Sequence, residues 1–366
     1  MEQQEARDVV LEQAVESMAS FRARQRAGRR VALFASLAVL LVFVSEVLAA
    51  YVTVFLDIPE DSLVSAIVME FTGAAAAVAG VWLLGGRRLL EVSPSDIGYT
   101  FRFGWWCLAT SVLLIAFDVV LYAFDGTAVA SDWALLLVEL TFFCLGVGVA
   151  EEFLFRGLIF NGLLAVCGST DRGVKLAIAL TSIAFGFAHV DFAHDFGTPL
   201  MAVQALLKAT QTGIYSVMLC TIFLRTRRLG GVSLFHGIDD LMLMVPSVAI
   251  YGEPFDTEYV MADDEALPTI GLYVVVIALY LPLLVKSLRE LHSGDLVWLG
   301  GFMDEALYGR GSTRVEPVYA LVPAGQEGQD LSWEQVPPFV ERELPVPPGW
   351  EQPHSGGRPP APTGLS

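Results

Sequence analysis

The chain has 366 residues, of which 54% are hydrophobic and only 17% charged, and its formal net charge is −18. Soluble domains carry about 25% charged residues, so the composition argues against an ordinary cytosolic enzyme, and it is too hydrophobic for a wholly disordered chain. The negative charge has the wrong sign for binding phosphate, which speaks against a nucleic-acid partner. The class that remains is an all-α, polytopic membrane protein.

In chain order, residues 1–30 read as a cytoplasmic N-terminal segment. Between Glu5 and Phe21, the residues Val10, Leu11, Ala14, Val15, Met18 and Phe21 recur at helical spacing. They predict an amphipathic helix lying on the membrane or on a partner. The polar, acidic start has no apolar core of a cleavable signal. The closing Gly-Leu-Ser offers no cysteine for prenylation.

Residues 31–290 read as the membrane domain. A spanning helix needs about 20 mostly apolar residues, and about eight stretches qualify. They run from about Val31 to Phe55, Leu63 to Leu84, Trp105 to Phe124, and Trp133 onward past Ala150. The others run from Val174 to about Val190, Leu200 to Leu224, Val232 to Ile250 and Leu267 to Leu284. Residues 291–366 are acidic and Pro-rich, as in Val336-Pro337-Pro338, and read as a mostly disordered cytoplasmic tail.

Basic residues orient these spans. Arg22 to Arg30, Arg87, Arg88 and Arg102, Arg172 and Lys175, Arg225 to Arg228, and Lys286 with Arg289 occupy every second connection. The alternate connections, Leu56–Ser62, Asp125–Asp132, Asp191–Pro199 and Gly252–Glu265, hold no Lys or Arg. The positive-inside rule then places both termini in the cytoplasm of a cell membrane. Arginine far outnumbers lysine, which occurs only at positions 175, 208 and 286. With the abundant Ala, Val and Gly, this suggests a bacterium with a GC-rich genome.

The four cysteines (Cys107, Cys144, Cys167 and Cys220) form no C-x-x-C pair and read as small apolar core residues. Ionisable residues within spans carry more information, because they are costly there. Glu46, Glu70 and Asp118 look isolated and read as helix-packing or interfacial groups. The fourth span holds Glu151-Glu152 and Arg156. Glu152 and Arg156 are four apart, so they share a face and can pair. Glu151 points about 100° away and is free to act as a general base. The fifth span ends in Phe185-Gly186-Phe187-Ala188-His189, and the seventh carries His236 and Asp240 one turn apart. One water-activating Glu, one supporting His and a further His–Asp face make a hydrolytic set within the helix bundle. His194, Asp191 and Asp195, in an outer connection, read as a solvated turn cluster.

The E-E-x-x-x-R, F-x-x-x-H and H-x-x-x-[N/D] motifs, in this order on separate helices, resemble those of the CPBP family. These are the CAAX-prenyl proteases and bacteriocin-processing enzymes, also called the ABI family. The resemblance covers about residues 93–250. It implies an intramembrane endopeptidase acting on a membrane-associated or lipidated protein or peptide. By that resemblance Glu151 is the general base assisted by His189, Glu152 and Arg156 hold the site, and His236 and Asp240 stabilise the oxyanion.

Members often have Asn where this chain has Asp240, and Asp donates a hydrogen bond only when protonated. The expected cofactor is none. The alternative is zinc on Glu151, His189, His236 and Asp240, an acceptable oxygen–nitrogen set, although no H-E-x-x-H pair occurs. The partners expected are membrane lipid and the substrate protein. Two other functions compete: a non-catalytic membrane partner or immunity protein on the same scaffold, and an ion-coupled transporter using the buried carboxylates.

Overall fold

The structure is a computed structural model that describes residues 2–59, 62–167, 171–255, 259–262, 266–292, 316–318 and 340–342. Contacts divide the chain into two compact units, Met1–Arg22 with Gly311–Ser366, and Ala23–Arg310. In the first, the described residues are the start of helix α1 (Glu2–Phe55) and two short strands, β1 (Glu316–Val318) and β2 (Val340–Arg342). The strands pair antiparallel, with Glu316 opposite Arg342 and Val318 opposite Val340. The amphipathic segment expected over Glu5–Phe21 falls within α1, but its side chains lie outside the described residues. So does most of the Pro-rich tail.

The regular elements among the described residues of the second unit are all helices. After α1 come α2 (Leu63–Leu83), a short turn of 3-10 helix (Arg87–Leu90), α3 (Pro94–Asp125) and α4 (Trp133–Glu151). The fourth helix continues without a break through a π-helical stretch, Glu152–Phe160, into α5 (Asn161–Cys167). Then follow α6 (Asp171–Phe187), α7 (Pro199–Thr226) and α8 (Gly230–Met244), which widens into a second π turn, Val245–Ile250, and α9 (Ala266–His292). Local signals set several ends. Ser62 and Thr198 accept the amides of Ser65 and Met201 as N-caps. Pro94 and Pro199 start their helices where a missing N–H costs nothing. Pro246 has no N–H to give to α8, and the helix widens there.

Among the described residues, seven helices are long and apolar enough to cross a membrane: Gly28–Phe55, Leu63–Leu83, Pro94–Asp125, Trp133–Cys167, Pro199–Thr226, Gly230–Ile250 and Ala266–His292. This is an all-α polytopic membrane protein. The exception among the expected spans is the fifth. It forms the 17-residue α6, which ends at Phe187 and leaves Ala188 to Val190 in a turn. The outward faces are apolar: Leu33, Leu37, Leu40, Leu41 and Leu48 of α1 are all exposed, as suits lipid contact.

The bundle packs as α7 on α9, α4 on α8, α6 on α7, α2 on α4, and α3 on α8. Small residues allow a close crossing between α4 and α8. A Cβ on Gly237 would lie 2.6 Å from the Cys144 carbonyl oxygen, and one on Gly148 would strike the Ser233 carbonyl. Backbones meet there as at other small-residue crossings in membranes, and this brings the His236 turn of α8 against the end of α4.

Candidate active site

The two adjacent glutamates stand at the junction where the fourth helix turns from α to π. Glu151 is the last residue of α4 and Glu152 the first of the π stretch. A π turn spaces hydrogen bonds five residues apart and leaves carbonyls to satisfy where it ends. Asn161 does this: its buried Nδ2 donates to the carbonyls of Arg156 at 2.7 Å and Gly157 at 3.1 Å.

On one side of the junction is a fully buried pair. Arg156 Nη1 donates to Glu152 Oε1 at 2.9 Å, and both side chains have 0% exposure. Arg156 Nη2 donates to Ser216 Oγ of α7 at 2.9 Å. The guanidinium carbon lies 4.3 Å from the centroid of the Phe185 ring. The pair is thus held by three elements at once, as a buried charge requires.

Glu152 also carries the link to α8. His236 Nδ1 lies 2.8 Å from Glu152 Oε1. With Glu152 ionised beside Arg156, Nδ1 carries the proton and donates, which fixes the ring. Tyr215 meets the same ring edge-on, with centroids 5.3 Å apart.

The other nitrogen, His236 Nε2, points to the open side of the site. It lies 3.6 Å from Glu151 Oε2 and 3.5 Å from Asp240 Oδ2. His189, in the turn after α6, brings Nε2 to 3.9 Å from Glu151 Oε1. Its Nδ1 donates to the Phe185 carbonyl at 2.8 Å, so Nε2 is left as an acceptor facing Glu151. These separations exceed direct hydrogen-bond length and match the loose spacing of uncomplexed sites, which tightens on substrate. Glu151 and Asp240 are partly exposed, at 26% and 27%.

All six residues singled out from the sequence therefore converge: Glu151, Glu152, Arg156, His189, His236 and Asp240. One residue had been read differently. Glu70 of α2 is not isolated. Its Cβ packs against α4 at Gly146, and its carboxyl lies within electrostatic reach of Glu151, Asp240 and His236. No helical spacing links position 70 to position 151, so only the fold reveals it. Asp239 anchors helices: it accepts from Ser111 Oγ at 2.6 Å and Cys107 Sγ at 3.4 Å, tying α8 to α3.

The zinc alternative can be tested on the donor set. Among the described residues no group of three or more His, Cys, Asp or Glu is arranged to hold a metal ion, while His236 gives Nδ1 to Glu152 and turns Nε2 towards Glu151 and Asp240, the orientation a metal-ligating histidine also takes.

Residues 133–242 match a family model described as type II CAAX prenyl endopeptidase Rce1-like. The matched stretch begins with α4 and ends two residues after Asp240, so it contains all six of the residues singled out from the sequence. No curated protein and no solved structure matches the chain.

Proposed function

Over residues 133–242 the chain belongs to the CPBP family through its Rce1-like branch, a family of CAAX-type intramembrane proteases, and we propose that it hydrolyses a peptide bond of a membrane-associated or lipidated protein by Glu/His-activated water. The observation that carries this reading is Glu151 between two imidazoles, with His189 Nε2 at 3.9 Å and His236 Nε2 at 3.6 Å.

In this mechanism water sits between Glu151 Oε1 and the acceptor nitrogen of His189. Glu151 takes its proton as the hydroxyl oxygen attacks the carbonyl carbon. The carbonyl oxygen becomes an oxyanion facing His236, which as imidazolium donates from Nδ1 to Glu152 and from Nε2 to the substrate. Glu151 then returns the proton to the leaving amine, and the C–N bond breaks. Glu152 and Arg156 do not touch substrate in this scheme; they orient His236.

The test is a proteomic comparison of membranes from cells carrying the wild-type chain or Glu151→Gln. New protein termini present with the wild type and missing with the variant, at equal amounts of folded protein, are the expected result. Identical termini would remove the peptidase reading and favour the non-catalytic or transport alternatives.

We also propose that both termini are cytoplasmic, from the alternation of basic connections. An even number of crossings then requires α6 to cross, although its 17 residues rise only about 26 Å in a hydrocarbon core of about 30 Å. A cysteine at exposed Ala193 should react with an impermeant reagent added outside intact cells, and one at exposed Arg88 should not. Labelling of Arg88→Cys alone would reverse the orientation.

A further inference from the structure

Lys208 is an unusual residue for its place. It lies on α7 within the candidate span Pro199–Thr226, and it is one of only three lysines, at 175, 208 and 286. A charge there is costly unless something uses it. Its ammonium lies 3.7 Å from the centroid of the Tyr259 ring. That ring lies 6.0 Å from the ring of His189, and His189 in turn faces Glu151. The ammonium therefore borders the open half of the site, and its charge acts on Asp240, Glu151 and His189.

The open half is short of positive charge. Glu152 has Arg156 at 2.9 Å, but Glu151 and Asp240 both face the single Nε2 of His236. Glu70 of α2 adds a further carboxyl within electrostatic reach of both. Within electrostatic reach of Asp240 are the carboxyls of Glu70, Glu151, Glu152 and Asp239, with His236 and Lys208 as the basic groups. Among the described residues, Lys208 is the lysine whose charge acts on Asp240, and Arg156 is bound to Glu152.

We propose, on the peptidase reading above, that Lys208 is a positioning residue whose ammonium offsets the second carboxylate that Asp240 places beside His236. An asparagine at 240 would bring no such charge and would leave Lys208 only Glu151 to balance. The lysine thus keeps the His236 imidazole available to the substrate rather than held by two anions on the same nitrogen. The Tyr259 face keeps the ammonium turned towards the site by cation–π attraction.

A double-mutant cycle tests this on the purified full-length protein in lipid, with Lys208→Met, Asp240→Asn and the pair. Activity is measured on a substrate from the proteomic comparison, with melting temperatures in parallel. Lys208→Met should lower kcat/KM about tenfold in the parent and less than about twofold in the Asp240→Asn background, the coupling expected of interacting charges. Lys208→Arg should retain most of the activity. Equal losses in both backgrounds would overturn the proposal and leave Lys208 as an interfacial lysine. If the parent cleaves nothing, the peptidase reading fails. The melting-temperature cycle still decides the pairing: a loss on Lys208→Met that Asp240→Asn does not relieve rejects it.

Discussion

Two clusters of histidine and carboxylate in this chain share short contacts and differ in their surroundings. In the bundle, His236 Nδ1 lies 2.8 Å from Glu152, with side-chain exposures of 4% and 0%. In the turn before α7, His194 Nδ1 lies 2.6 Å from Asp191, with exposures of 81% and 56%. The loop cluster is completed by the chain itself: the Ala193 amide donates to Asp191 at 2.7 Å and the Asp191 amide to Asp195 at 2.8 Å. It is a turn stabilised by side-chain acceptors. The buried cluster instead joins side chains from several helices, and water cannot screen it. The contact distances do not separate a structural pair from a reactive one; the surroundings do, because the same charges interact far more strongly in a low dielectric.

The contrast can be broken most severely at Glu152. Glu152→Gln leaves Arg156 charged and fully buried with only Ser216 and a ring face, and loss of one partner of a buried pair costs about 3–5 kcal/mol. The expected result is a large fall in melting temperature in detergent and loss of activity. Glu151→Gln, on the more open side, should abolish activity at an almost unchanged melting temperature. The double change Glu152→Gln with Arg156→Leu should recover part of the stability without recovering activity, since His236 still lacks an anionic partner for Nδ1. If the two glutamine variants melt alike, the division of the site into a holding half and a reacting half is wrong.

Much of this division was readable in the sequence. Glu152 with Arg156 and His236 with Asp240 are four apart, so a regular helix already pairs them, and their contacts of 2.9 and 3.5 Å follow. The long apolar runs gave the spans for the same reason that hydropathy works in membranes: backbone groups must be satisfied within each helix. The convergence of three helices was not readable. His236 stands only six residues into α8, whereas His189 follows the whole of α6, so a sequence count puts them at different depths. The close crossing at Gly148 and Gly237 and the short α6 bring them together. The π stretch was hidden too, because Asn161 as its closing acceptor-satisfier looks like any polar residue at a helix end. Glu70 was hidden because its neighbours are distant in sequence.

A smaller effect is expected at Asp240, on the boundary between the two halves. Asparagine there supplies an N–H donor without needing a proton on a carboxyl. In the metal-free mechanism Asp240→Asn should keep kcat/KM within about an order of magnitude of the parent or raise it. If Asp240 were an anionic ligand of zinc, the amide would bind it poorly, and metal and activity would fall together. Metal content and activity, measured before and after chelation, distinguish the two. A chelator-sensitive, zinc-containing parent beside a metal-depleted, inactive variant would replace the mechanism proposed above.

The smallest effect is expected in the loop cluster. There the His194 ring and the Ala193 amide hold the Asp191 carboxyl below the usual carboxylate range. A depressed carboxyl contributes stability above its unfolded value, near pH 4, and loses it as the pH falls through the lower folded value. At neutral pH that contribution is fully present, but exposed ion pairs are screened by water and salt. Asp191→Asn also keeps one oxygen able to accept the Ala193 amide, so the turn itself should survive. The variant should therefore melt within about 1 °C of the parent at pH 7 and retain full activity. Titrated below pH 4, the parent should lose slightly more stability than the variant, which has no charge to lose. A marked loss of activity in Asp191→Asn with an unchanged melting temperature would show that the turn before α7 takes part in the reaction, and the line drawn between the two clusters would then have to move.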